Sequence, residues 1–226
     1  ITDLNVDCLV NIFSYLDIDT LIDVRDVCER FREIADMELI HYKKFIVTNK
    51  NCDTNRIAKV MSIIGPNLST LTISFMFSDT CVLRAVRPIP YHCKNIKKLT
   101  IMFVRDDSFW TDKYLEKIVK DISELRLRNC FLNGSVNHIF ACCTKLETLI
   151  LSSVFYLDRL ETLNNLKNLK VLKVEKGQEH RYSAIFQWLR ENVKDLKIEY
   201  LSPFDAEERI EGIEEDEEMH EIFKFF

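Results

Sequence analysis

The chain has 226 residues, 47% hydrophobic and 30% charged, with a formal net charge of -5 at pH 7, so it is long and apolar enough to bury a sizeable core. It holds no run of eighteen apolar residues, which excludes a membrane-spanning helix, and residues 1–20 lack the basic, apolar and small-residue order of a secretory signal. Its basic residues form no stripe interleaved with exposed aromatics, which sets nucleic acid aside as a ligand class.

The first stretch in chain order is LNVDCLVNIFSYLDIDTLIDVRDVCERFREIA, residues 4–35. Apolar residues recur there at helical spacing three times, with acidic breaks between, which predicts three short helices. About forty residues are too few for a self-sufficient core. Yet Leu4, Leu9, Ile12, Phe13, Leu16, Leu21, Val24, Val27 and Phe31 exceed what three short helices hide among themselves. A fully buried Leu or Phe stabilises by roughly 1.5–3 kcal/mol, so several left uncovered favour association. A cap over the open end of the following domain is the other use for such helices, and one face can serve each purpose.

These residues resemble the F-box. Leu4, Asp7, Leu9, the block Ile12-Phe13-Ser14-Tyr15-Leu16, Asp19, Leu21-Ile22, Val24, Val27-Cys28, Arg30-Phe31 and Ile34-Ala35 stand in the family's order and at its separation. The resemblance implies a helical F-box domain over 1–41 that binds the Skp adaptor and, through it, the cullin scaffold of SCF ubiquitin ligases. It implies adaptor contacts from Leu4, Asn5, Leu9, Ile12, Phe13, Leu16, Leu21, Val24, Val27, Cys28 and Phe31. Three residues depart from the family pattern. Asn5 stands where proline is usual and can cap a helix through its side chain; Glu29 replaces Lys; and Cys8 replaces Leu.

From residue 42 onward the chain is periodic. LSTLTI (68–73), IKKLTI (96–101), ISELRL (122–127), LETLIL (146–151), the end of LKNLKVLKV (169–174) and VKDLKI (193–198) share one template. Their central leucines, Leu71, Leu99, Leu125, Leu149, Leu172 and Leu196, are 28, 26, 24, 23 and 24 residues apart. A weaker copy, YKKFIV (42–47), places Phe45 one interval upstream and makes a seventh strand. The spacers carry apolar residues every three or four positions: Ile57, Val60, Met61, Ile64; Val82, Leu83, Val86; Tyr114, Leu115, Ile118, Val119; Val136, Ile139, Phe140; Leu157, Leu160, Leu163; Tyr182, Ile185, Phe186, Leu189. Each spacer is thus an amphipathic helix.

Alternating strands and helices predict an α/β fold with parallel strands and right-handed crossovers. Strands stack about 4.8 Å apart and helices are roughly 10 Å thick, so the stack must curve with its strands inside. The intervals and the cysteines at 93, 130 and 143 are similar to the cysteine-containing leucine-rich repeats. The resemblance implies a solenoid over 42–204, with these cysteines as small buried residues under its turns.

Strand alternation sends Thr70, Thr72, Ser74, Lys98, Thr100, Met102, Glu124, Arg126, Arg128, Thr148, Ile150, Ser152, Val171, Lys173, Glu175, Asp195, Lys197 and Glu199 to the concave side. Lys98, Met102, Arg126, Arg128, Ile150, Lys173 and Lys197 are the candidate substrate contacts, with Phe75, Phe103 and Tyr200 as apolar anchors at the edge. Arg and aromatics carry much of the energy at interfaces.

The eight cysteines are expected to be reduced, because the chain is long and shows no export signal. This places it in a reducing compartment, cytoplasmic or nuclear. His138, Cys142 and Cys143 lie close in sequence, and His92 adjoins Cys93, but neither group has the paired spacing of a structural zinc site. No metal and no cofactor is expected. Residues 205–226 form an acidic tail with ten carboxylates against Arg209 and Lys224, ending in Ile222-Phe223 and Phe225-Phe226. It is either a solvated terminus or a segment that folds back onto the basic centre of the concave face.

Together these features point to a noncatalytic substrate-recognition subunit of an SCF-type ubiquitin ligase, which presents a protein substrate for ubiquitination and degradation. The alternatives are an interaction scaffold of leucine-rich repeats, adaptor-bound or free, and a thiol enzyme using Cys142 or Cys143 with His138. The last requires a depressed thiol pKa.

Overall fold

A computed structural model describes residues 4–74, 79–105, 107–132, 134–155, 163, 166–176, 183–193 and 195–202. The acidic tail, Phe75, Leu157, Leu160 and Tyr182 lie outside these residues.

Three helices open the chain: α1 (Val6–Phe13), α2 (Ile18–Val24) and α3 (Glu29–Leu39). Each of the first two starts on a side chain that satisfies an otherwise unpaired backbone N–H. Asn5 Oδ1 accepts from Cys8 N at 2.8 Å, and Asp17 Oδ1 accepts from Thr20 N at 2.7 Å. Asn5 therefore serves as the predicted cap in place of proline. The inner faces meet around Leu9, Phe13, Leu21, Ile22, Phe31, Ile34, Ala35 and Leu39, all buried. Phe13 and Phe31 pack edge to face with centroids 5.4 Å apart.

The rest alternates strand and helix: β1 (Lys44–Val47), α4 (Thr54–Ile64), β2 (Thr70–Ser74), α5 (Asp79–Val86), α6 (Ile89–His92), β3 (Lys98–Met102), α7 (Lys113–Val119), β4 (Glu124–Arg128), α8 (Val136–Cys142), β5 (Thr148–Ser152), β6 (Val171–Glu175), α9 (Ser183–Asn192) and β7 (Lys197–Leu201). The described strands form one seven-stranded sheet in sequence order, parallel throughout. Phe45, Leu71, Leu99, Leu125, Leu149, Leu172 and Ile198 stand side by side in register. The weak first copy is therefore a true strand.

The last repeat is displaced. Leu172 pairs with Ile198, not with Leu196, and Leu196 precedes the strand. Asp195 adopts φ 62° just before it. The template match ended on the right side of the sheet but two residues early. Tyr200 accordingly lies within β7, with its hydroxyl 3.3 Å from an Arg190 nitrogen.

The units repeat in their wiring as well as their spacing. Asn95 Nδ2 donates to the Pro66 carbonyl and Asn168 Nδ2 to the Thr144 carbonyl, each at 2.8 Å and each reaching one unit back. Phe103, Asn129 and Ser153 follow β3, β4 and β5 with φ of 62°, 53° and 48°. Three successive strands thus exit through one left-handed residue, which Asn tolerates best.

The predicted helix stripes face inward. Ile57, Val60, Met61 and Ile64 of α4, Leu115, Ile118 and Val119 of α7, and Val136, Ile139 and Phe140 of α8 are buried, as are Phe186 and Leu189 of α9. Trp110 and Phe109 add the bulkiest buried pair, and Trp110 Nε1 donates to the Phe131 carbonyl at 3.3 Å. Cys93, Cys130 and Cys143 are buried. Cys93 and Cys143 sit at the ends of α6 and α8, and Gly65 occupies the matching place after α4. A Cβ on Gly65 would lie 3.0 Å from Cys93 Sγ and 3.1 Å from the His92 backbone carbon, a fit tight enough that its neighbours would have to shift by a few tenths of an ångström.

The expectation of eight reduced thiols is corrected by one pair. Cys52 and Cys81 are joined by a disulfide with Cα atoms 5.9 Å apart, linking the turn before α4 to α5. Their 29-residue separation is about one interval of the repeat, so stacking of neighbouring units brings them together. Among the described residues no helix is long and apolar enough to cross a membrane.

Candidate functional site

Two surfaces and one side-chain cluster carry the candidate residues. On the amino-terminal helices the eleven predicted contacts divide by burial. Leu9, Phe13, Leu21 and Phe31 are buried within the helices' own core, Leu16, Val24 and Cys28 are half-buried, and Leu4, Asn5, Ile12 and Val27 are exposed. The inward four hold the three helices together, and the other seven are left wholly or partly in solvent. Ile12 is 46% exposed and Val27 65%. Sequence reasoning omitted Val6, Tyr15, Met37 and Ile40, all exposed, of which Tyr15 reaches 83%. The Tyr15 signal was available, since an aromatic at the end of α1 lies off its buried stripe. Arg30 donates to the Leu4 carbonyl, tying the entry of α1 to α3.

The opposite side of these helices is occupied. Arg56 of α4 donates through Nε to Asp19 Oδ1 at 2.9 Å and through Nη1 to Asp23 Oδ1 at 2.7 Å, and it also donates to the Asp19 carbonyl. Hydrogen bonding to the Asp23 carboxylate raises the Arg56 pKa above its ordinary value. Lys59 pairs with Asp26 at 2.6 Å and holds that carboxyl below its usual range. Thus α2 is clamped to the first strand–helix unit, and the apolar core runs continuously from Leu9 to Leu189.

The second surface is the sheet face opposite the helix-side leucines. Arg126 aligns with Thr100 on β3 and with Ile150 on β5, and Ile150 aligns with Lys173 on β6. The structure therefore places Arg126, Ile150 and Lys173 side by side. Arg128 lies between Met102 and Ser152. Met102 and Ile150 are 2% and 4% exposed, so neither offers much contact area. The basic charge is partly matched, across strands where Lys98 lies 3.3 Å from Glu124 and Lys173 3.2 Å from Glu199, and within β7 where Lys197 lies 2.6 Å from Glu199. Lys197 and then Lys173 depress the Glu199 pKa. Phe103 is buried rather than presented at the edge. Thr72, Ser74 and Ser152 on this face are buried, and among the described residues the hydroxyls of Ser74 and Ser152 meet no hydrogen-bond partner.

The thiols behave as core residues. Burial pushes Cys93, Cys130 and Cys143 up to about 12. Cys142 is also raised, by burial first and by the Glu116 carboxylate second. This is opposite to what a thiol nucleophile needs. His138 instead meets Glu116, with Nε2 2.7 Å from Oε1.

No curated protein matches the chain. Residues 3–47 match the F-box-like family model, a span that takes in the three opening helices and the strand that follows them.

Proposed function

We propose that this chain is the substrate-recognition subunit of an SCF-type ubiquitin ligase. Its F-box-like helices dock on the Skp adaptor, and through it on the cullin scaffold. Its strand–helix units form a leucine-rich-repeat solenoid that holds a protein substrate. The organisation is a docking domain over 1–41, a solenoid over 42–204 and an acidic tail.

One observation carries the reading. The helices complete a core of their own around Leu9, Phe13, Leu21 and Phe31, are clamped to the next unit by Arg56 and Lys59, and still leave Leu4, Ile12, Tyr15 and Val27 in solvent. Exposed apolar residues rimmed by polar ones mark a protein-binding surface. The regular register of Phe45, Leu71, Leu99, Leu125, Leu149, Leu172 and Ile198, with the backward-reaching Asn95 and Asn168, supports the solenoid. Lys98, Arg126, Arg128, Lys173 and Lys197 are the substrate contacts in this reading.

Such a receptor makes and breaks no bonds. It holds the target near a ubiquitin-charged enzyme and raises the effective concentration of the target's lysines.

The test is co-purification of the chain with the Skp adaptor. Ile12→Asp and Val27→Asp lie at exposed positions, so each leaves thermal stability within about 0.5 kcal/mol while abolishing the complex, because a charge would be stranded in a dry interface. Retention of the complex by both variants overturns the docking surface. Accumulation of a bound protein after the chain is depleted separates a receptor from a scaffold that hands over no substrate.

A further inference from the structure

The helix layer brings together three side chains that the receptor reading leaves unused. His138 and Cys142 are four residues apart on α8 and so lie on one face of it, one turn apart. Glu116 reaches the same place from α7, in the preceding unit. Its Oε1 lies 2.7 Å from His138 Nε2, and one ligand atom from each of the three falls within 4.8 Å of the others. Cys142 is not needed to fill the turn after α8, because the neighbouring Cys143 does so.

The geometry points to a divalent metal site, with Zn2+ the ion that fits best, held by Glu116, His138 and Cys142. The donor set of one carboxylate, one imidazole and one thiolate suits a borderline ion, whereas Mg2+ or Ca2+ would require oxygen ligands throughout. Zinc bonds of about 2.0–2.3 Å arranged tetrahedrally put the ligand atoms about 3.3–3.7 Å apart. The Glu116–His138 contact therefore opens by less than about 1 Å and the thiol closes by about the same amount, within reach of side-chain rotation.

His138 and Glu116 are 48% and 32% exposed, so the fourth coordination position faces water. Three protein ligands with an open position leave room for a water or for a ligand atom from a partner. On the chain alone the ion would act as a clip between α7 and α8, stabilising the folded state by mass action.

The site is tested on the full chain, purified under nitrogen so that thiols stay reduced. Titration with zinc chloride in a calorimeter should give one bound ion per chain. His138→Ala and Cys142→Ser should each weaken binding by tenfold or more, and Glu116→Gln should weaken it as well. Cobalt(II), used as a coloured substitute, should show thiolate charge-transfer absorption that disappears in Cys142→Ser. His92→Ala and Cys8→Ser, both outside the cluster, should leave affinity unchanged. Circular dichroism of each variant checks that its fold is kept, and the conservative Glu116→Gln change reports on the site should either α8 variant fail to fold. No binding by the native chain, or binding that Cys142→Ser and Glu116→Gln leave unaltered, overturns the assignment. The outcome is independent of adaptor binding, which the proposed function assigns to α1–α3, away from α7 and α8.

Discussion

The amino-terminal helices and the strand–helix units treat their apolar side chains in opposite ways. Of nine large hydrophobic residues exposed among the described residues, seven fall between Leu4 and Ile40, and only Tyr91 and Tyr200 lie beyond. In the repeating part the inward leucines from Leu71 to Leu172 are buried between neighbouring units, since parallel strands stack about 4.8 Å apart, and only the last unit leaves Leu196 and Ile198 partly exposed. Three helices of eight, seven and eleven residues enclose little volume, so apolar positions off the inner stripe face water. A stacked ladder covers most of its apolar residues itself, whereas the short helical cluster leaves several of its Leu, Ile and Val side chains in solvent, the surface the proposed function assigns to a partner.

The sharpest way to break this contrast is to put a charge inside the small core. Leu9→Asp should unfold the amino-terminal helices, with a loss of about 4 kcal/mol or more from an unpaired buried carboxylate. Hydrogen exchange would show protection vanishing on α1–α3 and persisting on β3–β6. Equal loss on the strands would mean that the two regions fold as one unit. Any failure of this variant to bind an adaptor would report unfolding rather than contact, which is why the exposed Ile12 and Val27 are the better probes.

Cys52→Ser should lower stability by about 2–4 kcal/mol, the range for a disulfide closing a loop of this length. Chemical denaturation followed by tryptophan fluorescence measures it, with Cys81→Ser giving the same value. A double variant more destabilised than either single one would mean that the bond is absent and the cysteines act separately.

The buried thiols predict a loss confined to alkaline solution. The folded pKa values of Cys93, Cys130 and Cys143, about 12 against an ordinary 9.0, are raised. The unfolded chain therefore releases these protons first, and stability that is complete below pH 9 falls as the pH rises toward 12. Replacing Cys130 by Ala should flatten part of that decline in pH-dependent melting curves. An unchanged slope would mean that other groups cause it.

Arg56→Ala should have the smallest effect, about 1 kcal/mol or less, because it removes partly exposed ion pairs to Asp19 and Asp23. Its value lies in where the effect falls. Faster exchange in α2 and α4 alone would locate the joint between the two regions there.

Periodicity made most of the fold legible in the amino-acid sequence. The intervals between Leu71 and Leu172 marked five strands and their inward faces correctly, because strand alternation ties face to sequence parity. Parity also explains the one register error: Leu196 and Ile198 differ by two, so both readings put the same side chains inward, and only the pairing with Leu172 distinguishes them. The candidate surfaces were less legible. A set of apolar residues in three helices does not say which complete the core and which remain outside, since that depends on how the helices cross. Leu9 and Phe13 went inward while Ile12, one residue from Phe13, stayed in solvent.

What the sequence determined alone was the alternation of strand and helix, the cap at Asn5 and the column of inward residues, all consequences of local spacing and side-chain chemistry. The tertiary fold decided which residues from different units meet: Cys52 with Cys81, Glu116 with His138 and Cys142, and Arg56 with Asp19 and Asp23. Such meetings depend on how neighbouring units stack in three dimensions, so a spacing near one interval permits them without selecting them.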